Sequence, residues 1–319
     1  MASIPEQPPR RIVIGSYPFD ENVALLHTAR PELEVRGAAP ANVTAADLAW
    51  ADTYVGFRMP PRAGPTMGSV RWVHCTGAGV DGWLTPPGLP PAILLTHTSE
   101  SFGPMIAEWV AARILAFQQQ LVDLARAQSA KQWTQRDIPR LAGTRALVVG
   151  TGDIGGHVAR LLSALGVRVT GASRSGAPAG PFFESVHRAA ELPGLAGAAD
   201  WIVLAVPGTP ETHGMFSREV FAACRGAVLL NVGRGSVLDE SAIPDALARG
   251  WLRGAALDVF EVEPLPPASP LWADPRVMVS PHISGRTTAQ GVATGFMECL
   301  ADIEAGRRPR LAVDPARGY

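Results

Sequence analysis

The stretch Arg145-Ala146-Leu147-Val148-Val149-Gly150-Thr151-Gly152-Asp153-Ile154-Gly155-Gly156-His157-Val158 decides the fold. An apolar strand (Ala146–Val149) runs into a glycine-punctuated turn, an amphipathic helix follows, and a second strand is expected at Val167–Gly171. In a strand–turn–helix unit each glycine has a task. Gly150 turns the chain out of the strand, and Gly152 lets backbone approach a pyrophosphate. Gly155 lets the helix that follows pack against the sheet. The free N–H groups and positive dipole end of the helix then face the phosphates. The acid expected about 20 residues on, to hold an adenine-ribose hydroxyl, is missing. Ser173-Arg174-Ser175 stands at the strand end instead.

Outward from this unit, strands and helices alternate in both directions. Before it, strands are expected at Arg11–Gly15, Leu33–Arg36, Thr53–Phe57, Val70–Cys75 and Ala92–Thr96, with helices near Glu21–Ala29 and Ala45–Ala51. One long helix is expected from Pro104 to Ala130, on the helical spacing of Ile106, Val110, Ile114 and Leu121. After the glycine unit, strands are expected at Trp201–Val206, Ala227–Val232, Gly254–Phe260 and Val277–Ser280. Helices are expected near Ser217–Ala223, Asp239–Arg249 (capped by Gly250) and Thr287–Gly306. The alternation predicts a doubly wound parallel sheet beside a second, smaller α/β layer.

Composition narrows the function classes. The chain has 319 residues, is 47% hydrophobic and 18% charged, and carries a net charge of −1. Two domains fit that length, and the charge gives no footprint for nucleic acid or an anionic membrane. The apolar runs are too short to span a bilayer, and the N-terminus lacks the apolar core of a signal peptide. Cys75, Cys224 and Cys299 are scattered and lack metal-ligand spacing, as expected of reduced thiols in a cytoplasmic protein, so no metal is expected. Cys75 adjoins a glycine-rich loop, where a reactive thiol is the alternative. Lys131 is the only lysine and sits in a polar run, which argues against Schiff-base chemistry.

Three strand ends carry reactive side chains. Arg234, between Gly233 and Gly235, presents a fork suited to bidentate recognition of a carboxylate. Asp258 falls within an apolar strand, where a carboxylate needs partners, and Glu261 and Glu263 follow it. His282 ends the last strand, in Ser280-Pro281-His282. A glutamate beside this histidine would fix one tautomer and keep a proton available near neutrality. Arginine to anchor a carboxylate, imidazole to give a proton and a nicotinamide to give hydride meet the needs of 2-keto acid reduction.

With these motifs in place, the whole chain resembles the D-isomer-specific 2-hydroxyacid dehydrogenase family, most closely its glyoxylate/hydroxypyruvate reductase branch. The resemblance implies a doubly wound Rossmann domain at 99–286. It also implies a smaller flavodoxin-like substrate domain built from both chain ends, 1–98 and 287–319. It gives Arg234, Glu263 and His282 the catalytic roles, with Arg234 and His282 also touching substrate. It makes Thr76-Gly77-Ala78-Gly79-Val80-Asp81 a substrate loop whose Ala78 and Gly79 N–H groups cradle a carboxylate, with Phe57 and Arg58 lining it. Cofactor contacts fall on Gly150, Gly152, Asp153, Ile154 and Gly155, on Ser173, Arg174 and Ser175, and on Val206, Pro207 and Thr212. They also fall on Val232, Gly233, Arg234, Asp258 (holding the nicotinamide amide), His282 and Gly285. The resemblance further implies a homodimer. Trp133 matches a tryptophan that some members extend toward the partner's site, and equally fits a surface packing residue. Glu100 departs from the small residue many members carry.

Ser173-Arg174-Ser175 offers a guanidinium and two hydroxyls where an acid would repel a 2′-phosphate, so NADP(H) is expected over NAD(H), which remains possible. The next acid in the chain, Glu184, follows a Gly/Pro-rich turn. Two alternatives stand beside the reductase: a non-catalytic NAD(P)H-binding regulator of the same fold, and an in-family formate- or phosphite-type dehydrogenase.

Overall fold

The computed structural model describes residues 2–62, 67–85, 88–99 and 102–318, so Glu100, Pro86, Pro87 and Tyr319 lie outside the described residues. The chain divides into two compact units, Met1–Phe102 with Thr287–Tyr319, and Gly103–Arg286.

The smaller unit is a parallel sheet of β1 (Arg11–Gly15), β2 (Glu34–Gly37), β3 (Thr53–Gly56), β4 (Trp72–Cys75) and β5 (Leu94–His97). Their order is β2-β1-β3-β4-β5, the flavodoxin-like winding. Every residue of β3 and β4 is buried, because helices cover both faces of such a sheet and alternation disappears. On one face the helix Ala289–Glu304 inserts Phe296, Cys299, Leu300 and Ile303 among Ile12, Ile14, Trp72 and Leu94. Its start is set by Thr288, whose hydroxyl accepts the Gly291 N–H at 3.0 Å. On the other face Leu48 and Trp83 pack with Val13, Tyr54 and Val73.

The larger unit holds β6 (Arg145–Val149), β7 (Arg168–Ser173), β8 (Ser185–Arg188), β9 (Trp201–Leu204), β10 (Ala227–Asn231), β11 (Leu252–Leu257) and β12 (Val277–Val279). All are parallel, in the order β12-β11-β10-β9-β6-β7-β8. The chain starts at β6, winds out to β8 and returns to β9 on the other side. Strand order therefore reverses between β6 and β9, where ligands of open α/β sheets bind. The helix Asp153–Ala164 buries Gly155, Val158, Ala159 and Leu162, a single stripe at helical spacing.

The structure corrects four readings. The single helix expected over Pro104–Ala130 is two, Phe102–Gln118 and Leu121–Ser129, separated where Gln120 takes φ 51°. The second piece buries no residue, and Leu121 is half exposed, so the apolar stripe ends with the first. The strand β8 was not expected, because this polar edge segment has neither an apolar run nor alternation. The helix expected from Asp239 begins as a 3₁₀ turn, Glu240–Ala242, before Ile243–Ala248. Finally, β11 stops at Leu257, which puts Asp258 just past the strand rather than inside it.

Candidate active site

At the switch point the glycine turn has the expected geometry. Gly150 adopts φ +100°, and a Cβ there would meet the Ala205 carbonyl at 2.4 Å. A Cβ on Gly155 would lie 1.8 Å from the Gly150 carbonyl oxygen, so only glycine brings helix and strand this close. A Cβ on Gly152 would meet nothing within 4 Å, and no side chain caps the helix that Gly152 precedes. The turn therefore leaves open space in front of uncapped N–H groups, as a pyrophosphate requires. The Asp153 carboxylate lies 3.4 Å from Nδ1 of His157, one turn along the helix.

Ser173, Arg174 and Ser175 close β7. The Ser173 hydroxyl accepts the Gly176 N–H at 3.1 Å and the Ser175 hydroxyl the Ala177 N–H at 3.2 Å, so both brace the turn with their own protons left to donate. Glu184 is held at the opposite end of β7, where Arg168 Nε reaches it at 3.0 Å. The facing turn, Val206–Thr212, is knitted by Thr212, whose hydroxyl donates to the Pro207 carbonyl at 2.6 Å. The Glu211 carboxyl sits below the ordinary carboxylate range, chiefly through its own backbone N–H and the Thr209 hydroxyl, with a smaller contribution from Arg174.

The reactive groups of the larger unit follow three adjacent parallel strands, β10, β11 and β12. Arg234 is fixed by its two glycines. A Cβ on Gly233 would lie 2.5 Å from the Val206 carbonyl, and one on Gly235 would lie 1.9 Å from the Phe260 carbonyl carbon. Buried Asn231 clamps the loop from beneath, accepting the Gly233 N–H at 3.1 Å and donating to the Arg234 carbonyl at 2.9 Å. The Arg234 guanidinium also donates to the Gly233 carbonyl at 2.8 Å.

Glu263 and His282 meet at 2.9 Å, Oε2 to Nδ1. The other glutamate oxygen accepts the Phe260 N–H at 3.1 Å, which aims the carboxylate at the imidazole. His282 adopts φ +53°, a left-handed conformation that a side chain rarely takes without support. That support is Asp258, which is fully buried. Its carboxylate accepts the Ser280 hydroxyl at 2.6 Å, the Ile283 N–H at 3.0 Å and the Ser284 N–H at 2.8 Å. Its backbone carbonyl takes the His282 N–H at 2.8 Å. Behind it, Trp109 Nε1 donates to the Ser280 hydroxyl at 3.2 Å. Val232 and Ser284 are buried, and Gly285 is half-buried just beyond.

In the smaller unit the loop Thr76–Asp81 follows β4. Thr76 is bound by Ser16 at 3.1 Å and by the Thr287 hydroxyl, which donates to its carbonyl at 3.2 Å. The ring of Phe57 lies against Gly77, where a Cβ would come within 2.6 Å of it, and the Arg58 stem lies on Gly82. Ala78 and Gly79 are half-buried, and among the described residues no backbone carbonyl takes their N–H groups. Cys75 is buried beneath the loop, its thiol 3.6 Å from the Gly79 carbonyl. Burial pushes the Cys224 and Cys299 thiols up to about 12.

Sequence reasoning left Asn231, Ser280 and Trp109 without roles. Asn231 carried a signal, a polar residue closing an apolar strand, but nothing about Trp109 distinguishes it from the core residues of its helix. Trp133 is 96% exposed. Among the described residues no cluster of histidine, cysteine or carboxylate groups could hold a metal ion, and no helix is long and apolar enough to cross a membrane.

Residues 111–284 match the family model described as D-isomer specific 2-hydroxyacid dehydrogenase, NAD binding domain. The chain is 31% identical to glyoxylate/hydroxypyruvate reductase A of Serratia proteamaculans, over 96% of this chain and 99% of the relative. It is similar to a D-isomer specific 2-hydroxyacid dehydrogenase of Xanthobacter autotrophicus crystallised with NADPH and MES (TM-score 0.88, 33% identity, 98% and 100% of the two chains). It is also similar to the NADPH-dependent glyoxylate/hydroxypyruvate reductase of Sinorhizobium meliloti crystallised with NADP and sulfate (TM-score 0.85, 31% identity, 97% and 100%).

Proposed function

The chain belongs to the D-isomer specific 2-hydroxyacid dehydrogenase family, and on that premise we propose that it reduces a small 2-keto acid, glyoxylate or hydroxypyruvate, with NADPH to the D-2-hydroxy acid. It is an NAD(P)-dependent oxidoreductase. The observation that carries the finer reading is the 2.9 Å contact of His282 with Glu263, on a strand end two strands from that of Arg234.

When bound, the nicotinamide supplies hydride to the carbonyl carbon. Arg234 binds the substrate carboxylate and polarises the carbonyl with its fork. Glu263 occupies Nδ1 of His282, so the proton for the carbonyl oxygen leaves from Nε2. Asp258 and Ser280 hold the histidine loop in place. Ala78 and Gly79 offer N–H groups to a carboxylate, and Phe57 and Arg58 border that loop. For the cofactor, Ser173, Arg174 and Ser175 bind a 2′-phosphate, and the Gly150–Gly155 turn binds the pyrophosphate. The reading includes a homodimer, supported by the exposed Trp133 and by a helix, Leu121–Ser129, that buries nothing. Sedimentation as a monomer would remove that part.

The test is a panel of 2-keto acids, each assayed with NADPH and NADH, on the native chain and on His282→Ala. Glyoxylate or hydroxypyruvate with NADPH is expected to lead the panel. The variant is expected to lose about 10²–10⁴-fold in kcat while still binding cofactor. Turnover retained by the variant removes His282 as the acid, and no turnover of any keto acid by the native chain removes the reductase reading.

A further inference from the structure

We propose that Arg188 is a second cation of the site that distinguishes NADPH from NADH. The proposal rests on the NADP(H) reading of Ser173-Arg174-Ser175. A ribose 2′-phosphate carries close to two negative charges at neutral pH, and one guanidinium balances only one of them. The chain after Ser175 supplies no second charge: Gly176-Ala177-Pro178-Ala179-Gly180-Pro181-Phe182-Phe183 contains no ionisable side chain.

The sheet supplies it instead. Strands β7 and β8 pair in parallel with Ser173 opposite Arg188, so the two residues share one strand-end edge. The Arg188 stem lies across the turn that Ser173 begins. A Cβ on Gly176 would sit 3.0 Å from Arg188 Cγ and 3.2 Å from its backbone nitrogen. Gly176 also holds φ +70°, so both conformation and space keep this position open for the arginine. Glu191, three residues on, engages the Arg188 backbone and not its fork. Glu191 takes the Arg188 backbone N–H at 3.0 Å with one oxygen, and lies 3.3 Å from His187 Nδ1 with the other. The Glu191 carboxyl is drawn below its usual range mainly by that backbone N–H, then by His187, with Arg188's charge the smallest contribution. Arg188 thus stands beside Ser173, and among the described residues its guanidinium forms no ion pair with an acid.

Calorimetric titration with 2′,5′-ADP and with 5′-AMP separates the phosphate from the rest of the adenosine site. Arg188→Gln is expected to weaken 2′,5′-ADP about three- to tenfold, within the range of a partly exposed charge-assisted hydrogen bond, and to leave 5′-AMP unchanged. The KM for NADPH should rise in step and that for NADH should not. Arg188→Lys should recover part of the loss, since it restores the charge without the fork. Arg174→Gln is the control. If it too leaves 2′,5′-ADP unchanged, the NADP(H) reading itself fails. If Arg174→Gln weakens 2′,5′-ADP and Arg188→Gln does not, Arg188 alone is overturned. Equal weakening of both nucleotides by Arg188→Gln also overturns the proposal, because the residue would then shape the adenosine pocket and not read the phosphate.

Discussion

In the larger unit the loop after β12 hangs from a buried carboxylate, whereas in the smaller unit the loop after β4 rests on the flank of a partly exposed ring. Asp258 reaches into its loop with three hydrogen bonds, and holds His282 in a backbone conformation it would not adopt alone. The Thr76–Asp81 loop keeps the Ala78 and Gly79 N–H groups open, with Phe57 against Gly77 and Arg58 against Gly82. The smaller unit also buries an ionisable group, His74, but spends it inside the sheet. Nδ1 lies 2.8 Å from the Thr96 hydroxyl and Nε2 lies 3.0 Å from that of Thr98. The difference follows from the chemistry proposed at each edge. A proton donor must be placed to a fraction of an ångström, and directional bonds to a buried charge do that. A carboxylate cradle needs open backbone donors and tolerates a softer support. Errors at the first edge should therefore appear in kcat, and errors at the second in KM.

Asp258→Ala attacks the stronger side of this contrast. It strands two backbone N–H groups and the Ser280 hydroxyl, so a stability loss of about 3 kcal/mol or more is expected. The kcat should fall about 10²-fold, as His282 loses its anchored loop. Asp258→Asn keeps one acceptor oxygen and should lie between Ala and the native chain in both measures. Urea unfolding and steady-state kinetics check this, with calorimetry following cofactor affinity. A native kcat in the Asn variant would mean that the carboxylate does not set the histidine's position.

The contrast also explains what the sequence made legible. Arg234, Asp258, Glu263 and His282 are rare residue types at the ends of apolar strands, so chemistry marked them before any geometry was known. The glycine turn was equally plain, because Gly150 and Gly155 answer to backbone constraints that recur in any dinucleotide fold. The supports were not legible. Trp109 acts on Ser280 across 171 positions of sequence, and β8 is a polar edge strand whose identity comes from pairing with β7. The break at Gln120 left no glycine or proline behind it. Long-range pairing and backbone reversals without glycine are set by tertiary packing, which local periodicity does not encode.

His74 offers a smaller test, confined to the other unit. Burial pushes its imidazole down to about 3. Above about pH 6.5 both folded and unfolded states leave it neutral, and its hydrogen bonds contribute fully. Below that, the unfolded chain takes up a proton the folded chain refuses, so stability is lost as pH falls, by about 1.4 kcal/mol per unit from this residue. About 2 kcal/mol should therefore go between pH 6.5 and pH 5. His97, also pushed down by burial, acts in the same direction, so the measurement is the difference between native and His74→Gln unfolding at the two pH values. The variant should show a shallower dependence. Equal slopes, or an imidazole NMR signal of His74 titrating near pH 6 in the folded protein, would contradict the buried neutral state.

The mildest change probes the softer edge directly. Gly77→Ala requires no forbidden backbone, but its new methyl would sit 2.6 Å from Cε2 and 2.9 Å from Cδ2 of Phe57. The obstacle is the far end of one ring, 44% exposed and able to swing outward, so folding should survive. Swinging the ring uncovers the loop and loosens the cradle. A KM for the keto acid higher by about three- to tenfold is expected, about 1 kcal/mol, with kcat nearly unchanged. Phe57→Ala alone should raise KM by a similar amount. In the double variant the methyl meets no ring, so its effect should match Phe57→Ala and not the sum of the two. Additive losses would show that Gly77 serves something other than the ring, and a fall in kcat instead of a rise in KM would dissolve the distinction between the two edges.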